Sequence, residues 1–238
     1  MKIRDIIRKI VFGHQADSNS YINYLRKIGV TIGKRVTIFE PRKVYIDETR
    51  PFLISIGNDV KITNGVTILT HGYDWNVLEG VYNKVLGSAG KVTIGNNVFI
   101  GFHSTILKGV AIGNNVIIGA NSLVNKDVPD NVVVAGNPAK IVMSIEEYYR
   151  KRSLAQFDEA KQIYCSYVER YGEEPTVDWF DEFFWLFWNR KEKLPDKFKK
   201  QMNWHEKYEK VFETFQSTKP MFENFENFKE KCKKIDSI

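Results

Sequence analysis

Cysteine and histidine are scarce in this sequence, with two Cys and four His among 238 residues. Cys165 and Cys232 lie far apart, which excludes a disulfide framework and a cysteine-based metal site. They read as reduced thiols of a cytoplasmic compartment. Three histidines would be needed for a catalytic zinc, and only His71 and His103 fall within residues 29–143, so no metal is expected. The sequence shows no apolar run long enough to span a bilayer, no low-complexity tract and no nucleic-acid-binding motif, and no cleavable signal is expected.

What is present divides unevenly. Residues 1–143 carry 17 Lys and Arg against 10 Asp and Glu, whereas residues 144–238 carry 18 against 19. The basic excess belongs to the first part, where a moderate positive field suits a small polyanionic ligand. The N-terminal MKIRDIIRKIVFG predicts a basic amphipathic helix, with Ile3, Ile6, Ile7, Ile10 and Val11 on one stripe and Lys2, Arg4, Arg8 and Lys9 elsewhere. The expected role is a cap over residues 1–28 that packs on the body. The alternative is a peripheral foothold on an anionic membrane surface.

Aliphatic residues recur every six positions at Ile94, Ile100, Ile106, Ile112, Ile118 and Val124, with glycine following at Gly95, Gly101, Gly113 and Gly119. Small or β-branched residues return between them at Val98, Ser104, Val110, Val116, Ser122 and Val128. An earlier block has Ile56, Ile62 and Ile68, and a fragment has Ile32 and Ile38. This period fits neither an amphipathic helix nor an alternating strand. It fits a short strand plus a tight turn, with three such units closing one triangular coil. Ile94 should then stack on Ile112, Ile100 on Ile118, and Ile106 on Val124. Periodicity leaves the hand of the coil open, and the ordinary crossover rule would make it right-handed.

The segments IGNNVFIGFHSTILKGVAIGNNVIIGANSLVNKDVPDNVVVAGNPAKIV and TILTHGYDW resemble the hexapeptide-repeat acyltransferase superfamily, in its branch of bacterial sugar O-acetyltransferases. The resemblance covers roughly residues 20–143 and implies an all-β, left-handed parallel β-helix (a hexapeptide solenoid) that assembles as a homotrimer. The solenoid is assigned to residues 29–143, with a loop at 72–91 where the register breaks. It also implies transfer of an acetyl group from acetyl-CoA to a sugar hydroxyl. N-acetylation of an amino sugar, a xenobiotic acceptor and a non-catalytic solenoid scaffold are the alternatives.

In such enzymes the Thr-His at the register break is where the catalytic base stands, which points to His71. An imidazole suits the task because a hydroxyl must lose its proton as it attacks a thioester. Asp74 or a backbone carbonyl would orient the ring. His103, in the turn IGFHST, is the competing base. The loop residues Tyr73, Asp74 and Trp75 are expected near the acceptor, as is Phe99, where relatives often have Trp. The resemblance lays the pantetheine arm in a groove between subunits. Phe102 and Ala120 would line it, Asn125 and Lys126 would approach the nucleotide, and Lys140 would face a phosphate. Asn125-Lys126 replaces a common Thr-Lys, and Met143 stands where relatives have a basic residue.

Residues 144–238 predict an α-helical extension outside the resemblance. Of the chain's 32 aromatics, 21 fall there. VDWFDEFFWLFWNR predicts a buried helix with Phe180, Phe183, Phe184, Phe187 and Trp188 on one face, docked on the solenoid or on a neighbour.

Overall fold

The computed structural model describes residues 3–235. It divides into two compact units, Met1–Tyr148 and Tyr149–Ile238.

The first unit opens with α1 (Ile3–Phe12) and α2 (Ser18–Ile28). Asp17 caps α2 by accepting from Ser20 N–H at 2.9 Å, and Gly29, at φ +115°, ends it in a left-handed conformation that a side chain would resist. Tyr21, Ile22 and Leu25 bury one face of α2 in the main core, and Ile38 N–H donates to Ser18 Oγ at 2.9 Å. The expected cap is therefore α2. In α1, Ile7, Ile10 and Val11 are exposed, contrary to a stripe packed on the body. Side chains at positions 2–6 of that stripe lie outside the described residues.

The strands follow coil by coil. The first coil holds β1 (Thr31–Ile32), β2 (Thr37–Ile38) and β3 (Tyr45–Ile46). The second holds β4 (Ile54–Ile56), β5 (Lys61–Ile62) and β6 (Thr67–Ile68). A loop containing α3 (Trp75–Tyr82) then leaves the body. The third coil holds β7 (Val92–Ile94), β8 (Val98–Ile100) and β9 (Thr105–Ile106), and the fourth β10 (Ala111–Ile112), β11 (Val116–Ile118) and β12 (Leu123–Val124). The chain visits three sheets in strict rotation, in the orders β1-β4-β7-β10, β2-β5-β8-β11 and β3-β6-β9-β12. All these pairings are parallel, and Ile94 pairs with Ile112, Ile100 with Ile118 and Ile106 with Val124, as the six-residue period predicts. β13 (Val132–Ala135) continues the second sheet, and β14 (Lys140–Ser144) closes it antiparallel.

The rotation leaves one apolar column per sheet inside a three-sided prism. Ile56, Ile94 and Ile112 fill the first, Ile62, Ile100 and Ile118 the second, and Ile68, Ile106 and Val124 the third, all buried. The corner between the first and second sheets carries a ladder of side-chain amides. Asn58, Asn96 and Asn114 each donate a backbone N–H to the side-chain oxygen of the residue one coil on, at 2.7–2.9 Å, and the ladder ends on Asp130. There a Cβ on Gly57 would come within 2.5 Å of the Gly95 carbonyl oxygen, so only glycine lets successive coils approach.

The helix α4 (Ile145–Tyr171), most of which belongs to the second unit, starts within the first with a reciprocal cap. Ser144 N–H donates to Glu147 Oε2 at 2.7 Å, and Glu147 N–H donates back to Ser144 Oγ at 3.1 Å. The helices α5 (Asp196–Met202), α6 (Tyr208–Ser217) and α7 (Phe225–Ile235) follow. The aromatic run is not the expected buried helix. It forms two 3₁₀ turns, Val177–Phe180 and Phe184–Leu186, with Phe183 N–H on the Phe180 carbonyl and Leu186 N–H on that of Phe183, both at 2.9 Å. Bulky aromatics favour a helix weakly, and the tighter turns aim Phe180, Phe184 and Phe187 into one core with Phe198, Phe215 and Phe228. These phenylalanines are thus buried against one another.

Arg190 ties this core together. Its guanidinium donates to the carbonyls of Trp185 (2.8 Å), Trp188 (2.6 Å) and Thr218 (3.2 Å) and lies 3.9 Å from the Phe215 ring centroid. Burial lowers its pKa to about 10. Arg190→Ala removes charge-assisted bonds from three carbonyls at once and should destabilise the unit by about 3 kcal/mol, read as a lower Tm by calorimetry. An unchanged Tm would show that these contacts are incidental.

Candidate active site

His71 stands where the chain leaves the third sheet after β6. The neck of the excursion is closed by backbone bonds from Gly72 N–H to Ser88 O (3.1 Å) and from Gly90 N–H to Thr70 O (2.8 Å), with His71 and Ala89 bridged antiparallel between them. The base of the loop is therefore fixed to the coil.

One coil earlier, Asp47 follows β3 and is fully buried. Its Oδ2 accepts from His71 Nδ1 at 2.5 Å, from Thr70 N–H at 3.1 Å and from the Thr70 hydroxyl. Its Oδ1 accepts from Thr49 N–H at 3.0 Å and the Thr49 hydroxyl at 2.7 Å. Burial works against the charge of Asp47, but these bonds from Thr70 and Thr49 outweigh it and hold the carboxyl well below the usual carboxylate range. A carboxylate accepting from Nδ1 fixes the imidazole tautomer, so the lone pair of neutral His71 sits on Nε2. The His71 side chain is 9% exposed and meets Tyr73 edge-on at 5.0 Å between centroids.

Asp74 does not orient the ring. It is exposed at the start of α3, and the orienting acceptor is Asp47, a residue that no motif in the sequence singles out. Tyr73 is exposed and its ring centroid lies 6.3 Å from that of Trp75, so both accompany His71 at the loop neck. His103 stands on another corner, between the second and third sheets, at φ +57°. Its equivalent one coil on is Asn121 at φ +56°, so the histidine fills a left-handed turn position.

The residues expected to hold the cofactor fall on two corners. Phe102 and Ala120 are stacked one coil apart on the corner of His103, joined by Asn121 N–H on the Phe102 carbonyl at 2.7 Å. Asn125 and Lys126 are exposed just after β12, on the corner that carries His71. They lie two coils beyond Leu69 and Thr70, roughly 10 Å at the strand spacing. Lys140 begins β14, opposite Ala135. Phe99 points outward from the second sheet, paired with Lys61 and Ile117, on the face across the prism from the His71 corner. One chain therefore does not bring Phe99, Phe102 or Ala120 to His71.

Among the described residues, no group of three or more His, Cys, Asp or Glu could hold a metal ion, and no helix is long and apolar enough to cross a membrane.

Residues 91–126 match the family described as bacterial transferase hexapeptide (six repeats). The chain is similar to protein CapG of Staphylococcus aureus, with 50% identity over 128 residues that span 53% of this chain and 73% of CapG. It is 38% identical over 108 residues to the galactoside O-acetyltransferase of Escherichia coli (strain K12), spanning 42% of this chain and 50% of that enzyme. Serine acetyltransferase 2 of Arabidopsis thaliana is 38% identical over 121 residues, 48% of this chain and 33% of that protein.

Proposed function

This chain belongs to the hexapeptide-repeat acyltransferase superfamily, in its sugar O-acetyltransferase branch, and from that premise we propose that it transfers an acetyl group from acetyl-CoA to a hydroxyl of a sugar. The observation that carries the reading is the buried Asp47–His71 pair at the neck of the loop. His71 Nε2 takes the acceptor's hydroxyl proton as the oxygen attacks the thioester carbonyl carbon. The tetrahedral intermediate collapses with cleavage of the carbon–sulfur bond, and the imidazolium returns the proton to the departing thiolate. Asp47 keeps Nδ1 protonated and stabilises the imidazolium between these steps. The products are a sugar acetate and coenzyme A, with no covalent enzyme intermediate.

The catalytic unit is the solenoid of residues 29–143, left-handed as in the family, with the loop at 72–91 beside the acceptor. The first 28 residues and residues 144–238 flank it. The reaction is assigned to the cytoplasm. Phe102, Ala120, Asn125, Lys126 and Lys140 bind acetyl-CoA, and their division between two corners is the reason for placing the cofactor between copies. A homotrimer sets the Phe102 corner of one copy beside the His71 corner of the next. Light scattering should therefore give a trimer. A monomer at micromolar concentration with full activity would remove the argument for a shared groove.

The activity is tested by coenzyme A release from acetyl-CoA with a panel of nucleotide sugars and polysaccharide repeat units, followed by mass analysis of the product. An acetyl ester on a sugar oxygen is expected. Acetylation of an amino sugar only at nitrogen, or no transfer to any acceptor beyond the hydrolysis background, would defeat the proposal.

A further inference from the structure

α1 makes different use of its two sides. Ile7, Ile10 and Val11 share a stripe at i, i+3, i+4 spacing and are 56%, 78% and 64% exposed. Arg8 and Lys9 instead line a cleft with Asp17, Asn19, Ser20 and Asn23. The polar flank thus faces α2, and the apolar stripe faces away from the core. α2 shows what this unit does with an apolar face it can bury, since Tyr21, Ile22 and Leu25 are almost wholly covered. Among the described residues, none gives the stripe of α1 such cover.

A cationic segment meets the Phe12 end of the helix. Arg42 lies over the Phe12 ring at 4.2 Å to the centroid, and Arg42 and Lys43 are both exposed. Among the described side chains, Asp17 is engaged with the N–H and hydroxyl of Ser20 and Glu40 with Arg42 at 3.7 Å. Counting Arg8 and Lys9 on the α2 flank, the described side chains of this region keep a positive excess.

The geometry points to an in-plane foothold on an anionic lipid surface, with Ile7, Ile10 and Val11 entering the acyl boundary and Arg42 and Lys43 meeting the headgroups. A short amphipathic helix with a cationic rim has the composition of such a helix. A second copy is a poorer occupant. A two-fold contact through this stripe would bring the same cations face to face, whereas anionic headgroups supply the opposite charge at the rim and hydrocarbon at the centre.

The test is sedimentation of the full chain with vesicles of equal parts phosphatidylcholine and phosphatidylglycerol, beside vesicles of phosphatidylcholine alone. Binding is expected to the anionic vesicles and should weaken with salt. Ile10→Glu should lower that affinity about tenfold or more, the scale for one buried aliphatic side chain. Arg42→Ala should lower it about fivefold, from one lost basic contact. Both sites are exposed, and circular dichroism would verify that each variant folds as the parent does. The inference fails if the chain ignores anionic vesicles or if Ile10→Glu binds them as well as the parent. It fails equally if Ile10→Glu instead dissociates an oligomer, for then another copy covers the stripe.

Discussion

His71→Ala should lower kcat by about 10²–10⁴-fold, the contribution of a general base. The expectation rests on position and geometry, since His71 sits on the fixed neck of the loop with Nδ1 held by Asp47 at 2.5 Å. The KM for acetyl-CoA should change little, because the contacts proposed to hold the cofactor, at Phe102, Ala120, Asn125, Lys126 and Lys140, do not include His71. His103→Ala is the internal control, with a change of less than about tenfold, because His103 lies on another corner in a left-handed turn. If His103→Ala abolishes transfer while His71→Ala is nearly silent, the base has been assigned to the wrong corner.

Asp47→Asn should approach the His71→Ala rate to within about tenfold, although the imidazole is still present. An asparagine amide can donate to Nδ1 and favour the tautomer with the proton on Nε2, which leaves no lone pair for the acceptor. The double variant should then be no slower than His71→Ala alone, since residues acting as one unit are not additive. An additive double variant would show that Asp47 serves only the fold.

Stability provides a second readout for the same substitution. The Asp47 carboxyl is held below its usual range in the folded chain. Its stabilisation is therefore fully present above the pKa of an unfolded aspartate, about 3.9, and is lost as pH falls through the lower folded value. Asp47→Asn should accordingly be less stable than the parent at neutral pH, with the gap narrowing in strong acid. Urea unfolding at several pH values measures this, and a gap that stays constant would contradict the charged, hydrogen-bonded state of Asp47.

The repeat makes the core of the first unit legible in the sequence. Ile94 pairs predictably with Ile112, and Ile106 with Val124, because 18 residues return the chain to the same sheet. His71 is legible because it opens the break in that period. Asp47 is hidden for the same reason that His71 stands out. Between the first and second coils the step is not 18, since Ile46 pairs with Ile68 and Ile32 with Ile56. No regular count from the well-formed coils therefore lands Asp47 beneath Thr70 and His71.

The sequence by itself determined the features that depend on neighbours along the chain or on a constant repeat. These are the period, the apolar columns, the Gly and Asn corners, the interrupted register and the helical character of most of the second unit. Tertiary structure decided whatever depends on which distant surfaces meet. It set a buried carboxylate against His71, gave the capping role to α2 and left the stripe of α1 uncovered. It also turned the aromatic run into 3₁₀ turns around a core of its own. The physical reason is that periodicity reports which side of an element is apolar, whereas burial and hydrogen-bond partners are fixed only when the chain folds back on itself.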